Sequence, residues 1–190
     1  MTIQIVQSEI VYRGRALSVR RDRVLLAGGL QSDMDVVVHA GAVTLVPIDE
    51  DGLLWFVRQY RHSAGAVLLE LPAGTLEEGE RPEHCAEREC REEIGMAPAR
   101  LEHIGECFLA PGYSTEYMHF YLATGLTASP LSADSDEEIT VERVRPGQVA
   151  ALIAAGELRD AKSLAALYLA RPWLEGPGVR EPESPSSSVR

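Results

Sequence analysis

The chain has 190 residues, 45% of them hydrophobic, which suffices for one domain of ordinary size or one domain with a small extension. Its formal net charge of −11 argues against a general binder of nucleic acids or of anionic membranes, because both classes present a basic surface. The three cysteines form no C-x-x-C pair, so neither a disulfide framework nor a zinc site is predicted. The sequence shows no signal-peptide pattern and no apolar stretch long enough to span a membrane, so we expect a cytoplasmic protein.

The first forty residues are predicted to be rich in β-structure. Apolar runs cover residues 3–6, 17–26 and 34–39, and the pair Gly28–Gly29 marks a turn between two of them. So few hairpin residues cannot bury a core of their own. We therefore expect residues 1–40 to pack on the following domain or on a second copy of the chain. The alternative is an extra sheet edge within a monomer.

Three further strands are predicted before the first helix. Residues 41–47 and 53–60 are apolar runs of strand length, and the acidic turn at 49–52 is predicted to join them as a hairpin. Residues 67–71 form the third strand. The segment 72–74 is then predicted to turn the chain toward the helix.

A helix of about four turns is predicted between Pro82 and Gly95. Proline suits the first helical position, where its missing N–H costs nothing, and glycine suits the left-handed residue that ends a helix. Glu89 and Glu93 are four residues apart, so their carboxylates share one helix face beside a narrow apolar stripe that includes Cys90. Like charges at this spacing repel, and a divalent cation between them, Mg²⁺ or Mn²⁺, would offset the repulsion.

The remaining predicted elements are strands at 100–108, 116–123 and 139–144 and helices at 146–156 and 161–171. An acidic loop at 134–138 precedes the last strand. Residues 175–190 are rich in Gly, Pro and Ser and are predicted to be a disordered tail. Strands, one helix, more strands and then helices predict an α/β sandwich with a mixed sheet between helices.

One motif of fixed spacing covers residues 74–96, GTLEEGERPEHCAERECREEIGM. Its defining positions are Gly74, Glu80, Arg88, Glu89, Cys90, Glu92, Glu93, Gly95 and Met96. They match the Nudix box, G-x5-E-x7-R-E-U-x-E-E-x-G-U with U apolar, and the chain resembles the Nudix hydrolase superfamily over roughly residues 41–170. The resemblance implies a Nudix α/β/α sandwich and metal-dependent hydrolysis of a nucleoside diphosphate linked to another group.

Features outside the box resemble the ADP-ribose pyrophosphatase subgroup. Pro111 lies fifteen residues beyond Met96, where that subgroup has a proline, and its context PGYSTE is also similar. So are the runs Glu70-Leu-Pro-Ala-Gly74 and Arg58-Gln-Tyr-Arg61 and the segment GELRDAKSLAAL at 156–167. In this subgroup a similar N-terminal β-extension builds a homodimer.

The resemblance therefore implies Mg²⁺-dependent cleavage of ADP-ribose to AMP and ribose 5-phosphate, with Mn²⁺ as a possible substitute. Two alternatives stay open. The first is that the substrate is another nucleoside diphosphate sugar, such as GDP-mannose. The second is that the chain is a sensor that binds ADP-ribose without cleaving it.

Roles for individual residues also follow from the resemblance. The carbonyl of Ala73 and the carboxylates of Glu89, Glu93 and Glu137 are expected to bind metal, and the residues expected to be catalytic are Glu92, Glu93 and Glu137. Glu92 is expected to pair with Arg88, tune the site and contact a metal-bound water. The remaining motif residues are expected to be structural, and these are Gly74, Glu80, Arg88, Gly95 and Pro111.

The general base and the substrate contacts are less closely defined. The family's base would fall on Ser135, which cannot serve, so Asp134, Asp136 or Glu137 is expected to take over. Arg61 and Glu116 are expected to contact the substrate. Tyr12 and Tyr113 are both candidates to stack on adenine. The histidines His62, His84 and His119 have no partner at ligand spacing and are predicted to be ordinary polar residues.

Overall fold

The computed structural model describes residues 3–15, 17–132 and 138–174. Within these ranges the strands are β1 (Gln4–Arg13), β2 (Ser18–Leu25), β3 (Gln31–Val38), β4 (Ala42–Pro47), β5 (Leu54–Arg61), β6 (Ala66–Glu70), β7 (Ala73–Thr75), β8 (Met96–Phe108), β9 (Tyr117–Ala128) and β10 (Ile139–Val144). The helices are α1 (Pro82–Glu93), α2 (Val149–Ala154) and α3 (Ala161–Leu174), with short 3-10 turns at His62–Ala64 and Pro146–Gln148. None of the helices in the described part of the chain combines the length and apolarity needed to span a bilayer.

The strands form three sheets. The order β7-β4-β9-β8 makes a four-stranded mixed sheet, in which β4 and β9 are parallel and the other neighbours antiparallel. The order β10-β5-β6 makes a three-stranded antiparallel sheet, and β1-β2-β3 makes another at the N terminus.

The predicted hairpin between β4 and β5 is wrong. The turn at 49–52 does form, with the N–H of Gly52 donating to the carbonyl of Asp49, but only one bridge, Ile48 to Leu54, follows it. The two strands then enter different sheets, because β7 and β9 occupy both edges of β4. The predicted turn at 72–74 is likewise partly a strand, since Ala73 begins β7.

The core lies on both faces of the mixed sheet. Side chains alternate along a strand, so Val43 and Leu45 of β4 face α1 while Ala42 and Val46 face α3. Every residue of β4 is buried, as expected for a strand covered on both sides. A mixed sheet between helices is the predicted fold class, and the structure confirms it.

Helix α1 begins and ends as its sequence predicts. Pro82 occupies the first turn, and Gly95 has a φ of 71°, the left-handed value that favours glycine. Cys90 is fully buried against the mixed sheet, and this burial raises the pKa of its thiol to about 12. The thiol therefore stays neutral and packs as a small apolar side chain.

The C-terminal elements differ from prediction in their bounds. The helix predicted at 146–156 is a 3-10 turn followed by the six-residue α2, and α3 extends three residues beyond its predicted end, to Leu174. The loop residues Asp134, Ser135, Asp136 and Glu137 and the tail 175–190 lie outside the described residues. The general-base assignment, the metal role of Glu137 and the predicted disorder of the tail therefore stay predictions.

The N-terminal sheet joins the rest of the molecule at the end of β3. The N–H of Val37 donates to the carbonyl of Tyr113 at 2.7 Å, and the N–H of Thr115 donates back to the carbonyl of Val37 at 2.9 Å. Two cross-strand ion pairs fix the register of β2 on β3, namely Arg21 with Asp35 and Arg23 with Asp33.

Candidate active site

A cleft of about 660 Å³ opens between α1, β7, the start of β9 and the start of α3. Its volume is typical of small-molecule sites, which span about 300–1,000 Å³. The predicted site residues that line it are Arg61, Ala73, Gly74, Arg88, Glu89, Glu92 and Glu116. Residues far apart in the sequence thus meet at one wall of the mixed sheet.

The carboxylate of Glu93 fastens the end of α1 to β7. Glu93 is 6% exposed, and its Oε2 accepts a hydrogen bond from the N–H of Ala73 at 2.9 Å. This bond places the backbone of Ala73 beside the helix face that carries Glu89 and Glu93. Three of the four predicted metal ligands, Ala73, Glu89 and Glu93, are therefore neighbours.

Gly74 is required by the packing of Glu89. A Cβ atom on residue 74 would lie 1.8 Å from Oε1 of Glu89, far inside van der Waals contact. The backbone of Gly74 does not adopt a left-handed conformation, so the constraint here is space. Glycine lets β7 approach the buried carboxylate of Glu89 directly.

Arg88 connects three carboxylates of the same helix and its preceding loop. Its guanidinium donates to Glu80 at 2.9 and 3.0 Å, to Glu89 at 2.6 Å and to Glu92 at 2.9 Å. These hydrogen bonds raise the pKa of Arg88, and the bonds from Arg88 are the main cause that lowers the pKa of Glu80 to about 2. Glu80 also accepts the N–H of Glu77, so the loop is held to α1.

A buried ionic cluster at the back of the cleft was not predicted. Glu70 is 1% exposed and accepts hydrogen bonds from Arg61 at 2.7 and 3.0 Å and from Lys162 at 2.5 Å. Lys162 also donates to Asp160 at 2.9 Å, at the start of α3. Arg61, predicted to contact substrate, therefore lines the cleft while its guanidinium is held by Glu70.

Two features of the sequence point to this cluster in hindsight. Glu70 is a single charge inside the apolar run VLLEL, and Lys162 is the only lysine of the chain. Burial on its own would raise the pKa of Glu70, but the hydrogen bonds from Arg61 and the charge of Lys162 outweigh burial, and the pKa of Glu70 lies below its ordinary value.

The donor atoms of the cleft suit a hard divalent cation. Glu89, Glu92 and the carbonyl of Ala73 on the cleft wall, and Glu93 hydrogen-bonded to Ala73 beside it, offer only oxygen, which is the ligand type that Mg²⁺ and Mn²⁺ prefer. Two of these carboxylates are less than a tenth exposed, one turn apart on the same helix. The residues therefore fit such an ion.

Comparison with known proteins assigns the family. The NUDIX domain model matches residues 38–167, which is well over half of the chain. The chain belongs to the NUDIX family. The superfamily resemblance read from the box is thereby confirmed, and the chain is a Nudix hydrolase.

Individual relatives agree with this assignment. The ADP-ribose pyrophosphatase of Mycobacterium tuberculosis is 35% identical over 165 residues, covering 85% of this chain and 80% of the relative. The ADP-ribose pyrophosphatase of Bacillus subtilis is 31% identical over 164 residues, covering 85% and 89%. A crystal structure of an ADP compounds hydrolase matches with a TM-score of 0.84 at 26% identity, covering 94% of this chain and 97% of the other.

Not every predicted residue lies at the Nudix cleft. Glu116 lines it, with its N–H donating to Oγ of Ser114 at 3.1 Å. Pro111 lies outside it, in the turn that holds β3, and Tyr12 and Tyr113 are exposed elsewhere. Pro111 is therefore in a position that suits a structural role. In the part of the chain that the structure describes, neither tyrosine lines the cleft.

Replacing Gly74 of the Nudix box with alanine is expected to raise the metal concentration needed for half-maximal activity by at least about tenfold. The added methyl group displaces the carboxylate of Glu89, with which it would overlap. Titration of activity with Mg²⁺ measures the change. Gly147→Ala is the matched control, because a Cβ there meets no atom within 4 Å. Equal metal dependence in both variants would contradict the packing argument.

Proposed function

We propose that this Nudix hydrolase cleaves the pyrophosphate bond of ADP-ribose in a Mg²⁺-dependent reaction that yields AMP and ribose 5-phosphate. The observation that carries the proposal is the cleft that Glu89, Glu92, Arg61 and Lys162 line together, with Glu93 hydrogen-bonded to its wall at Ala73. Two relatives named ADP-ribose pyrophosphatase match this chain over most of their length, and they support the choice of substrate.

The charge of the cleft supports a requirement for metal. Among the described residues that line it are five carboxylates, against the three cations Arg61, Arg88 and Lys162. Each of these cations already pairs with a carboxylate of the protein. A pyrophosphate is itself anionic, so the cleft without metal would repel it.

The residues of the cleft have distinct tasks in this proposal. Divalent ions held there would neutralise the phosphate charge and lower the pKa of a bound water. Glu89 and Glu93 hold the ions, and Arg88 keeps Glu89 and Glu92 in position through its hydrogen bonds. Glu92 lies on the cleft wall, where it would contact a water of such an ion. The proton acceptor is proposed from residues 134–137, with Glu137 also a metal ligand.

The substrate contacts are proposed to come from Arg61 and Glu116, which also line the cleft. Arg61 is fixed by Glu70, so its planar guanidinium is already oriented, and a phosphate can approach its remaining donors. Glu116 precedes β9 on the cleft wall, and its proposed role is to contact a ribose hydroxyl.

A substrate panel tests the proposed function. ADP-ribose, GDP-mannose and UDP-glucose are incubated with the protein in Mg²⁺, in Mn²⁺ and in excess chelator, and the products are separated by chromatography. We expect ADP-ribose to be consumed fastest, with AMP and ribose 5-phosphate in equal amounts and no reaction in chelator. Turnover confined to another sugar nucleotide would overturn the substrate. Binding of ADP-ribose without turnover would identify a sensor.

We also propose that residues 1–40 form an extension to the domain at 41–174 and that this extension makes a homodimer. All ten residues of β1 are exposed, and β1 is an edge strand whose outer backbone groups are open to pairing. Apolar side chains that lie exposed on β1 are Ile5, Val6, Ile10, Val11 and Tyr12. A second copy of the chain would cover this surface in an isologous contact.

Val6→Asp is expected to weaken the dimer by at least about 3 kcal/mol, because each interface would then bury two unpaired carboxylates. Sedimentation equilibrium measures the change. Ile153→Asp on α2 is the matched control, since Ile153 is 43% exposed and Val6 is 46% exposed. Equal dimer stability in both variants, or a monomeric parent protein, would rule out this interface.

A further inference from the structure

Three potential metal ligands share one face of the β8–β9 hairpin. Glu106 on β8 lies directly opposite His119 on β9. His103 is three residues before Glu106, and in a regular strand the two side chains would point to opposite faces. A β-bulge between His103 and Gly105 shifts the alternation by one residue, so both side chains point to the same side.

The distances between the ligand atoms suit a tetrahedral ion. Nδ1 of His119 lies 3.1 Å from Oε2 of Glu106, and Nε2 of His103 lies 3.7 Å from the same oxygen. One ligand atom from each of the three residues lies within 4.8 Å of the other two. Two bonds of about 2.0–2.1 Å at a tetrahedral angle separate their ligand atoms by roughly 3.4 Å. The three groups therefore need only small adjustments to close on one ion.

Neighbouring rings hold the three groups in place. The carboxylate of Glu106 lies close enough to the hydroxyl of Tyr117 to raise the pKa of Tyr117 above its ordinary value. The ring of His119 packs edge-on against Tyr117 and that of His103 against Tyr121, each at 5.3 Å between centroids. Such outer contacts orient ligands in metal sites and contribute to metal affinity.

This cluster is separate from the catalytic cleft. Met118 lines the cleft, and His119 is the next residue of β9, so its side chain points to the other face of the sheet. That face is the one on which Tyr121 packs with α1. The cluster is open to solvent, since the side chains of His103 and Glu106 are 44% and 45% exposed.

The ligand types differ from those of the Nudix box. Two imidazoles and one carboxylate favour a transition metal, whereas the all-oxygen set of the box favours Mg²⁺. The three cysteines offer no competing thiolate, because burial raises the pKa of each thiol.

We propose that His103, Glu106 and His119 form a second metal site that binds Zn²⁺ or a similar transition-metal ion, with water in the remaining position. The ion would link β8 to β9 on the sheet face opposite to the side chain of Met118. A zinc site was not predicted from the sequence because the cysteines form no pair and His119 has no partner at ligand spacing. Neither criterion detects a site built across strands.

Zn²⁺ titration by calorimetry in excess Mg²⁺ tests the proposal, with the Mg²⁺ occupying the oxygen ligands of the box. We expect one equivalent of Zn²⁺ to bind. His103→Asn and His119→Asn should each weaken binding by at least about 100-fold, and Tyr117→Phe by about tenfold. His62→Asn is the control, since His62 is exposed in the turn after β5, and it should bind Zn²⁺ like the parent.

Two further measurements separate this site from other sources of binding. Co²⁺ in place of Zn²⁺ should give visible absorption bands in the parent and in Glu93→Gln, and these bands should vanish in His119→Asn. Circular dichroism of each variant checks that the fold is retained. Zn²⁺ affinity that is unchanged in both histidine variants would overturn the proposal, as would a parent protein that binds less than one equivalent.

Discussion

The variant Glu93→Gln is expected to turn over ADP-ribose about 1,000-fold more slowly than the parent, with its fold intact. Glutamine has the same shape and keeps an oxygen for the N–H of Ala73, which the carboxylate of Glu93 accepts at 2.9 Å. What the substitution removes is one negative charge at the place where a divalent ion is proposed to bind. The loss should therefore appear in kcat at saturating Mg²⁺ and not in the melting temperature.

A matched control distinguishes this effect from a general change in the charge of α1. Glu87 lies on the same helix with its side chain 54% exposed, and its ion pair with Arg91 is long, at 4.0 Å. Glu87→Gln should retain kcat within about twofold, since exposed pairs of this kind contribute little. If Glu93→Gln and Glu87→Gln have equal kcat values, the proposed catalytic role of Glu93 is wrong.

Glu70→Ala is expected to lower the free energy of unfolding by about 3–5 kcal/mol. The truncation removes the carboxylate that pairs with Arg61. Lys162, which is 9% exposed, then keeps only its ion pair with Asp160. Urea unfolding followed by circular dichroism measures the loss. Adding Lys162→Met should recover part of it, because a buried cation is then replaced by an apolar side chain.

Glu142→Ala is the control for this prediction. Glu142 forms a similar pair with Arg58, but the side chains of both residues are about one third exposed, so its loss should cost about 0–1 kcal/mol. A comparable loss in the two variants would mean that the burial of Glu70 does not matter.

The stability that Glu70 contributes should also depend on pH. Its pKa is lower in the folded protein than in the unfolded chain, where a glutamate titrates at about 4.3. The contribution is therefore complete above that value and is lost as the pH falls through the lower folded pKa. The unfolding free energies of the parent and of Glu70→Ala should converge in this acidic range. A difference that stays constant down to pH 3 would contradict the linkage.

Local geometry explains why the catalytic helix could be read from the sequence. Pro82 and Gly95 delimit α1, and the spacing of four residues places Glu89 and Glu93 on one face whatever surrounds the helix. The pair between Arg88 and Glu92 follows from the same spacing and is present at 2.9 Å. Helical contacts lie within a few residues, so a single sequence suffices to predict them.

Contacts between distant residues were decided by the tertiary structure. Glu70 and Lys162 are 92 residues apart, and their meeting depends on how α3 packs against the end of β6. The departure of β5 from β4 depends on which strands occupy the edges of β4. The grouping of His103 with Glu106 depends on one bulge.

The sequence by itself thus determined the box helix, the face that its carboxylates share and the family to which the chain belongs. Only the tertiary structure decided the partner of Arg61, the need for glycine at position 74 and the histidine cluster behind the cleft. The physical reason is that strand register and sheet order bring together residues whose separation along the chain carries no periodic signal.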